Sequence, residues 1–316
     1  MLYNFTDTIF LKDESQLEPQ IEEMKNLLGK GYDDKKINWD INCFEKGKRG
    51  EEQIAYELKH SNIGMYVLRD VNFTFEDLCV QIDFVVVTSS YCYLIECKNM
   101  NGNISVNSDG QFSKESYYNG KKIREGMDSP YGQSVRHLNL VKKWLMKNVK
   151  TNLTENEFYD NYKPLIVFSN KKGMLFDYFA PKEVKDVIVR IDNLLSYLET
   201  QEKNSKKENK RTQEEMFYQA KAILSCHTLK ERNFENKYKI KDDFNLKVRL
   251  VEFRTEKSKK YGIPSSYIFN NDELDKLMEF RPKTKEILEN LKIIEDIKLK
   301  LHGDEIIDII NSVHNV

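Results

Sequence analysis

An aspartate, a glutamate and a lysine stand in two consecutive apolar segments of the sequence. Asp83 lies in the segment 81–88, whereas Glu96 and Lys98 lie at the end of the segment 91–98. Both segments are rich in β-branched and aromatic residues, so they are predicted to be strands joined by a short turn. Because side chains alternate between the faces of a strand, Glu96 and Lys98 are expected on one face. The hairpin then brings the carboxylate of Asp83 beside that of Glu96.

The chemistry that such a group supports is metal-dependent hydrolysis of a phosphodiester. Two carboxylates and the carbonyl oxygen of Cys97 are hard ligands that suit Mg²⁺ or Mn²⁺. The ammonium group of Lys98 can orient a water molecule or stabilise negative charge that develops at phosphorus. The thiol of Cys97 is expected to point into the core.

The alternative interpretation is a pair of surface strands with cross-strand charges, because a Glu-x-Lys triplet often occurs by chance. The apolar residues 84–87 and 93–95 favour a functional site, since they indicate central strands. A charged pair at the end of a buried strand costs free energy unless the charges are paired or used.

The hydrophobic pattern around this hairpin predicts an α/β domain with a mixed sheet flanked by helices. Gly and Pro are few, and Asn107 to Gly110 mark a turn. The predicted helices are 44–60, 135–149 and 192–199, the last with Asp192 as N-cap, and the predicted strands are 66–75, 81–88, 91–98, 103–106, 111–112, 164–169 and 184–190.

Two further motifs flank the hairpin. Upstream, Gly47, Gly50 and Glu51 give the pattern G-x-x-G-E, and downstream Ser129-Pro130 with Gln133 gives S-P-x-x-Q. In this order, with the aspartate strand and E-x-K between them, the motifs resemble the nuclease-related domain, NERD. The resemblance covers about residues 44–200.

The resemblance implies a restriction-endonuclease-like core of the PD-(D/E)xK superfamily. It implies that Asp83 and Glu96 are metal ligands, that Lys98 is the catalytic lysine, and that Glu51 and Gln133 line the site. Without the resemblance, Glu51 is equally well explained by the dipole of a helix start, and Gln133 by a cap or a solvent contact. Gly47 and Gly50 are expected to be turn glycines, and His60, His137 and His227 to be structural.

The C-terminal part of the sequence is predicted to be entirely helical, with helices at 246–261, 272–280, 283–291 and 304–313. Tyr261 to Phe269, Phe280 to Thr284 and the closing His302-Gly303 resemble an HRDC domain, a small all-α helical bundle. The family implies an auxiliary nucleic-acid-binding or protein-docking function. The expected phosphate contacts are Lys257, Lys259, Lys260, Arg281, Lys283 and Lys285, each of which is otherwise an ordinary solvated side chain.

The composition limits the remaining choices. Among 316 residues, 50 basic and 51 acidic side chains give a net charge of −1, so nucleic acid must be bound by local patches. Five cysteines without CxxC spacing argue against a disulfide framework or a zinc ribbon and favour the reducing cytoplasm. No apolar stretch is long enough to span a membrane, and no signal peptide is expected.

Residues 202–214 are almost all charged or amide residues, so a domain boundary is predicted there. The predicted organisation is an N-terminal extension at 1–43 with one short helix near 18–28, a NERD domain at 44–200, a charged linker or helix at 201–243, and an HRDC domain at 244–316.

The sequence therefore predicts a cytoplasmic nuclease that requires Mg²⁺ or Mn²⁺ and cleaves DNA, or RNA, in DNA processing or antiviral defence. A helicase or a defence-system protein is the further partner considered. The alternative is a catalytically silent NERD-fold scaffold that binds DNA or protein. The complete set of Asp83, Glu96 and Lys98 favours catalysis, because a scaffold does not need all three side chains.

Overall fold

The computed structural model describes residues 5–76, 78–118, 121–148, 153–207, 210–229, 232–238 and 242–312. The chain divides into two compact units. The first consists of Met1–Asn26 and Asn38–Arg232, and the second of Leu27–Ile37 and Asn233–Val316. The helix ends predicted at 149 and 313 lie outside the described residues.

The strands of the first unit form two sheets. The strands are β1 (Thr8–Lys12), β2 (Met65–Phe75), β3 (Leu78–Val87), β4 (Cys92–Lys98), β5 (Asn103–Val106), β6 (Phe112–Tyr118), β7 (Lys121–Met127), β8 (Tyr162–Phe168), β9 (Leu175–Phe176) and β10 (Ile188–Arg190). The main sheet has the order β1-β2-β3-β4-β8-β10, and a small sheet has the order β7-β6-β5-β9. In the main sheet β2, β3 and β4 are antiparallel, whereas β4, β8 and β10 are parallel. The predicted mixed α/β sheet is confirmed.

Helices cover both faces of the main sheet. They are α1 (Leu17–Asn26), α2 (Asp34–Lys59), α3 (Pro130–Asn148), α4 (Glu155–Asn161), α5 (Lys182–Lys185), α6 (Leu194–Asn204) and α7 (Gln213–Leu224). Apolar side chains of α3, α4 and α7 pack on one face of the sheet, and those of α2 and α6 pack on the other. This arrangement buries both faces of β3 and β4, whose residues 84–87 and 92–95 are at most 3% exposed.

The β2–β3 ladder contains a local irregularity at two aspartates. Pairs are formed by Arg69 with Phe84 and by Val71 with Ile82, so that Asp70 and Asp83 oppose each other without pairing. Asp70 has a φ of 51°, in the left-handed region. In β2, even-numbered residues before Asp70 and odd-numbered residues after it point into the same apolar core. β3 shows the same shift on the two sides of Asp83. Asp83 therefore lies at the point where regular strand alternation is interrupted.

The last four helices of the second unit pack around one apolar core. The helices of this unit are α8 (Phe234–Tyr238), α9 (Asp242–Tyr261), α10 (Asn271–Phe280), α11 (Lys285–Leu291) and α12 (Asp296–Ser312). Asn270 and Thr284 cap α10 and α11, as their side-chain oxygens accept backbone N–H groups. The last helix begins earlier than predicted, because Leu299 and His302 continue the buried spacing of Ile306 and Ile310. No described helix of the chain has the length and apolar character needed to cross a membrane.

The N-terminal residues contribute more to the first unit than predicted. β1 is an edge strand that pairs in parallel with β2, in a segment for which only one helix was expected. That helix is present as α1, but α2 begins ten residues earlier than the predicted start at 44, at Asp34. On the C-terminal side, Val184 lies in α5 rather than in a strand, and Asp192 lies in a 3₁₀ turn instead of capping α6.

The charged segment predicted as a linker is held to the first unit where it is described. Ser89 and Ser90 donate hydrogen bonds to Glu202, and the backbone N–H of Arg211 donates to the carbonyl of Ser89 at 2.8 Å. α7 follows at once and buries Met216, Ala220 and Ile223 in the core. The three predicted domain boundaries, at 43/44, 200/201 and 243/244, stay predictions.

The two glycines of the G-x-x-G-E motif lie inside α2 and are not turn residues. A Cβ atom at Gly50 would lie 2.7 Å from Ser169 Oγ and 2.9 Å from Cys97 Sγ, whereas at Gly47 its nearest neighbour would be Leu17 Cδ1, at 3.8 Å. We expect Gly50→Ala to lower the free energy of unfolding by about 1–3 kcal/mol through overpacking. Gly47→Ala should be neutral or stabilising by up to about 1 kcal/mol, because alanine favours the helix.

Urea unfolding of the two variants and the wild type measures this difference. The pair is matched because both substitutions add the same methyl group to the same helix. Equal stabilities of the two variants would contradict close packing of α2 against the β4 strand at Gly50.

Candidate functional site

The β3–β4 hairpin places Asp83 and Glu96 opposite each other. The ladder runs from Val87 paired with Cys92 to Phe84 paired with Ile95, so Asp83 and Glu96 are the next residues on the two strands. Asp83 Oδ2 accepts a hydrogen bond from the backbone N–H of Cys97 at 2.7 Å. Because the N–H and C=O of a strand residue point to the same neighbouring strand, the carbonyl of Cys97 also faces Asp83.

Glu96, Lys98 and Gln133 form a closed set of hydrogen bonds. Lys98 Nζ donates to Glu96 Oε1 at 2.8 Å and to Gln133 Oε1 at 2.9 Å. Gln133 Nε2 donates to the same oxygen of Glu96 at 2.8 Å. The alternation of β4 puts Glu96 and Lys98 on the face that α3 covers, as the sequence predicts, and leaves Cys97 to pack on the other face.

The start of α3 positions Gln133. Pro130 occupies the first helical turn, and the Oγ of Ser129 accepts a hydrogen bond from the N–H of Gly132 at 3.1 Å. One turn further along the helix, His137 Nδ1 lies 3.6 Å from Glu96 Oε2. His137, which was predicted to be structural, lies on the same face of α3 as Gln133, because the two residues are four apart.

Glu51, which lies on α2, is held by a buried ion pair with Arg69. Arg69 Nε on β2 lies 3.2 Å from Glu51 Oε2, and Ser15 Oγ donates to the same oxygen at 3.2 Å. The guanidinium carbon of Arg69 lies 5.8 Å from the centre of the Phe84 ring. The contribution of Arg69 and Ser15 was missed, because no local spacing connects them with Glu51.

The carboxylates of this region repel one another. The pKa of Asp83 is raised well above its usual range, first by burial and then by the charges of Glu96 and Glu51. The pKa of Glu51 is also raised by burial, against the opposing effect of Arg69. Burial lowers the pKa of His137 and so favours the neutral imidazole, although the charge of Glu96 opposes this effect. The local charge balance therefore leaves the carboxylates in excess over Lys98 and Arg69.

We expect the substitution Arg69→Met to lower the free energy of unfolding by about 3 kcal/mol, because the buried Glu51 would lose its cationic partner. The double variant Arg69→Met with Glu51→Gln should regain much of this loss. Urea unfolding gives the values. If the single variant is as stable as the wild type, the pair makes no net contribution to stability.

The donor set fits a hard divalent cation. Asp83 uses Oδ2 for the N–H of Cys97, and Glu96 uses Oε1 for Lys98 and Gln133, so Oδ1 and Oε2 are the oxygens that would hold an ion. In the described parts of the chain, no three His, Cys, Asp or Glu side chains form a metal-holding group. Mg²⁺ needs no such group, because it usually keeps several waters and takes one or two carboxylates.

The cations predicted to contact phosphate all lie in or beside helices of the second unit. Lys257 Nζ lies 2.6 Å from Glu305, and Lys285 Nζ lies 2.8 Å from Asp304. Arg281 ends α10 in the left-handed conformation with a φ of 42°. The remaining three side chains are exposed, namely Lys259, Lys260 and Lys283.

Comparison with known families agrees with this architecture. The model of the nuclease-related domain, NERD, matches residues 46–169, which contain the hairpin, Glu51 and Gln133. The HRDC domain model matches residues 243–310. The chain therefore contains a NERD domain followed by a C-terminal HRDC domain, as the motifs predict. No curated protein and no solved structure matches the chain.

Proposed function

We propose that the first unit is a Mg²⁺- or Mn²⁺-dependent nuclease that hydrolyses phosphodiester bonds at Asp83, Glu96 and Lys98. The observation that carries the proposal is the hydrogen-bonded set of Glu96, Lys98 and Gln133 at the end of the β3–β4 hairpin, where Asp83 accepts from the backbone N–H of Cys97. Asp83 and Glu96 are the proposed metal ligands, together with the carbonyl of Cys97. A bound Mg²⁺ would supply a Lewis acid and would neutralise the excess of carboxylate charge.

The residues of the chain have separate tasks in this proposal. Lys98 is fixed by two acceptors, so its charge has a defined position where negative charge develops on the phosphoryl oxygens. Gln133 forms hydrogen bonds with both Glu96 and Lys98 and so fixes their side chains relative to each other. Glu51 lines the site, and its orientation is set by Arg69.

The proposed substrate is DNA, with RNA as the other nucleic acid to be tested. An HRDC domain indicates nucleic-acid binding, and we assign Lys257, Lys259, Lys260, Arg281, Lys283 and Lys285 as its phosphate contacts. All five cysteines are free thiols, which is consistent with a cytoplasmic protein. Further proposals are a role in DNA processing or antiviral defence and a helicase or defence-system partner.

A cleavage panel tests the proposed function. The full chain is incubated with single-stranded, double-stranded and branched DNA and with RNA, in Mg²⁺, in Mn²⁺ and in EDTA. We expect cleavage of at least one substrate with either metal and none in EDTA. Cleavage in EDTA would contradict the metal-dependent mechanism.

The second candidate is a silent scaffold on the same fold. It is favoured by one observation, namely that Glu96 Oε1 already accepts from both Lys98 and Gln133. Tight binding of nucleic acid without turnover on any substrate in the panel would support the scaffold and exclude the nuclease.

A further inference from the structure

Three strands of the small sheet, β5, β6 and β7, are inserted between β4 and α3, which carry the candidate site, whereas β9 follows β8. β5 begins five residues after Lys98, and β7 ends at Met127, just before the Ser129-Pro130 start of α3. The inner face of the small sheet packs Ile104 and Phe112 into an apolar cluster. Short chain segments therefore connect these strands to Lys98 at one end and to the start of α3 at the other.

The outer face combines aromatic rings with small side chains. The register aligns Phe176, Ser105, Ser113 and Gly126 in one row across the four strands. A Cβ atom at Gly126 would have no neighbour within 4 Å, so this row is open. We call this face the platform, and it consists of Ser105, Ser113, Glu115, Tyr117, Lys122, Arg124 and Phe176.

Two rings of the platform are exposed. Phe176 is 49% exposed, and Tyr117, which pairs with Lys122 at the other end of the face, is 72% exposed. In the loop after β9, Tyr178 and Phe179 are also exposed, and Lys185 Nζ of α5 lies 5.6 Å from the centre of the Tyr178 ring. Phe176 and Tyr117 therefore offer two separate positions at which a base can stack.

The charge of the β6–β7 hairpin favours an anionic ligand. On the platform face the register places two cations, Lys122 and Arg124, around one carboxylate, that of Glu115, so this face has an excess of one positive charge in a chain whose net charge is −1. Lys114 and Lys121 lie on the opposite face of the hairpin. Arg124 Nε donates to Ser113 Oγ at 3.1 Å, which holds the guanidinium group beside the open row. Lys122 Nζ lies 2.9 Å from Glu115.

A groove of about 530 Å³ lies at the end of the platform nearest α3. Its polar lining includes Asn107, Ser113 and Arg124, and its carboxylate is that of Asp128, two residues before the helix. Small-molecule sites are typically about 300–1,000 Å³, so the groove can receive a nucleotide.

We propose that the platform binds single-stranded nucleic acid and leads it to the candidate active site. Exposed rings bind bases by stacking, which requires bases that are not paired, and the interspersed cations match the phosphate backbone. Binding to the platform does not depend on the proposed nuclease activity. Only the delivery of the strand for cleavage rests on the proposed function.

The test is binding of fluorescein-labelled oligo-dT and oligo-U of about 20 nucleotides to the full chain in EDTA. We expect the double variant Phe176→Ala with Tyr117→Ala to raise the dissociation constant about tenfold, from the loss of stacked bases. Arg124→Gln should reduce the slope of log affinity against log salt by about 0.7. The dT and U arms show which nucleic acid the platform prefers.

Matched variants remove an exposed ring and a charge elsewhere in the first unit. Tyr218→Ala removes a ring that is 62% exposed on α7, and Lys203→Gln removes a cation on α6. Neither should change the affinity. Unchanged affinity in the double variant, an equal loss in Tyr218→Ala, or an equal loss for a duplex of the same length would overturn the proposal.

Photo-crosslinking separates the platform from the HRDC domain. An oligonucleotide substituted with 5-iodouracil should crosslink to Tyr117 or Phe176, and crosslinks confined to residues 243–310 would overturn the proposal. The cleavage panel is a separate readout. If the platform binds the oligonucleotide and no substrate is cleaved, the platform proposal stands and the nuclease proposal is contradicted. If substrate is cleaved and the double variant binds as tightly as the wild type, the nuclease proposal stands and the platform proposal is contradicted.

Discussion

The substitution Lys98→Ala is expected to lower turnover by about 10²–10³-fold or more, with little change in affinity for nucleic acid. The ammonium group is held by Glu96 Oε1 and Gln133 Oε1, so its position is fixed before substrate arrives. A charge that is fixed in advance stabilises the transition state without reorganisation. Binding changes little, because the substitution removes one cation among many phosphate contacts.

Lys203→Ala is the charge-matched control for this prediction, as Lys203 has a 78% exposed side chain on α6. Single-turnover cleavage and binding in EDTA are measured for both variants and the wild type. Wild-type turnover in Lys98→Ala would show that the E-x-K assignment is wrong. An equal loss of binding and turnover would show that Lys98 contributes to affinity alone.

Asp83→Asn is expected to abolish the response to metal and to stabilise the metal-free protein at neutral pH. The pKa of Asp83 is raised by burial and by Glu96 and Glu51, so the folded state holds this proton more tightly than the unfolded state. This contribution to stability is complete below the unfolded pKa, near 4, and is lost as pH rises through the folded pKa. An asparagine side chain does not titrate, so Asp83→Asn does not lose this stability as pH rises.

Thermal unfolding in EDTA across pH tests this sign. The midpoint of Asp83→Asn should rise relative to the wild type as pH increases, by about 2–4 °C for each kcal/mol of penalty removed. The pKa of Glu51 is raised in both proteins, so its contribution largely cancels in the comparison. A constant gap between the two midpoints at all pH values would contradict the raised pKa of Asp83.

Mg²⁺ should stabilise the wild type relative to Asp83→Asn, which is opposite to the effect of rising pH in EDTA. At about 100 times its dissociation constant, Mg²⁺ stabilises a protein that binds it by about 2.7 kcal/mol. The wild type should gain this stability and Asp83→Asn should not. Equal stabilisation of the two proteins by Mg²⁺ would place the ion elsewhere.

Local patterns were sufficient to predict the hairpin and the side chains that share its face. Alternation along β4 put Glu96 and Lys98 together, and the turn at 88–90 brought Asp83 to Glu96. Helix spacing was also informative, because the periodic residues of α9, α10 and α11 gave helices close to those observed. These features depend on neighbours within a few residues.

Features that depend on distant partners were not predictable in the same way. Glu51 is fixed by Arg69, which lies on another element, and no periodicity links the two residues. β1 is a strand because its edge pairs with β2, although the N-terminal residues look like a polar extension. The charged composition of 202–214 predicted a linker and gave no sign of its hydrogen bonds to the β3–β4 turn, where Ser89 and Ser90 donate to Glu202.

The most direct test of a metal-dependent nuclease at the hairpin is a cleavage assay that compares the wild type with three single variants, Asp83→Asn, Glu96→Gln and Lys98→Ala. The full chain is assayed on single-stranded DNA in Mg²⁺, then in excess EDTA, then after Mg²⁺ is restored. We expect cleavage by the wild type that stops in EDTA and returns with Mg²⁺, with no cleavage by Asp83→Asn or Glu96→Gln and at most a trace by Lys98→Ala. Cleavage by Asp83→Asn at the wild-type rate, or wild-type cleavage that persists in EDTA, would contradict the metal-dependent mechanism.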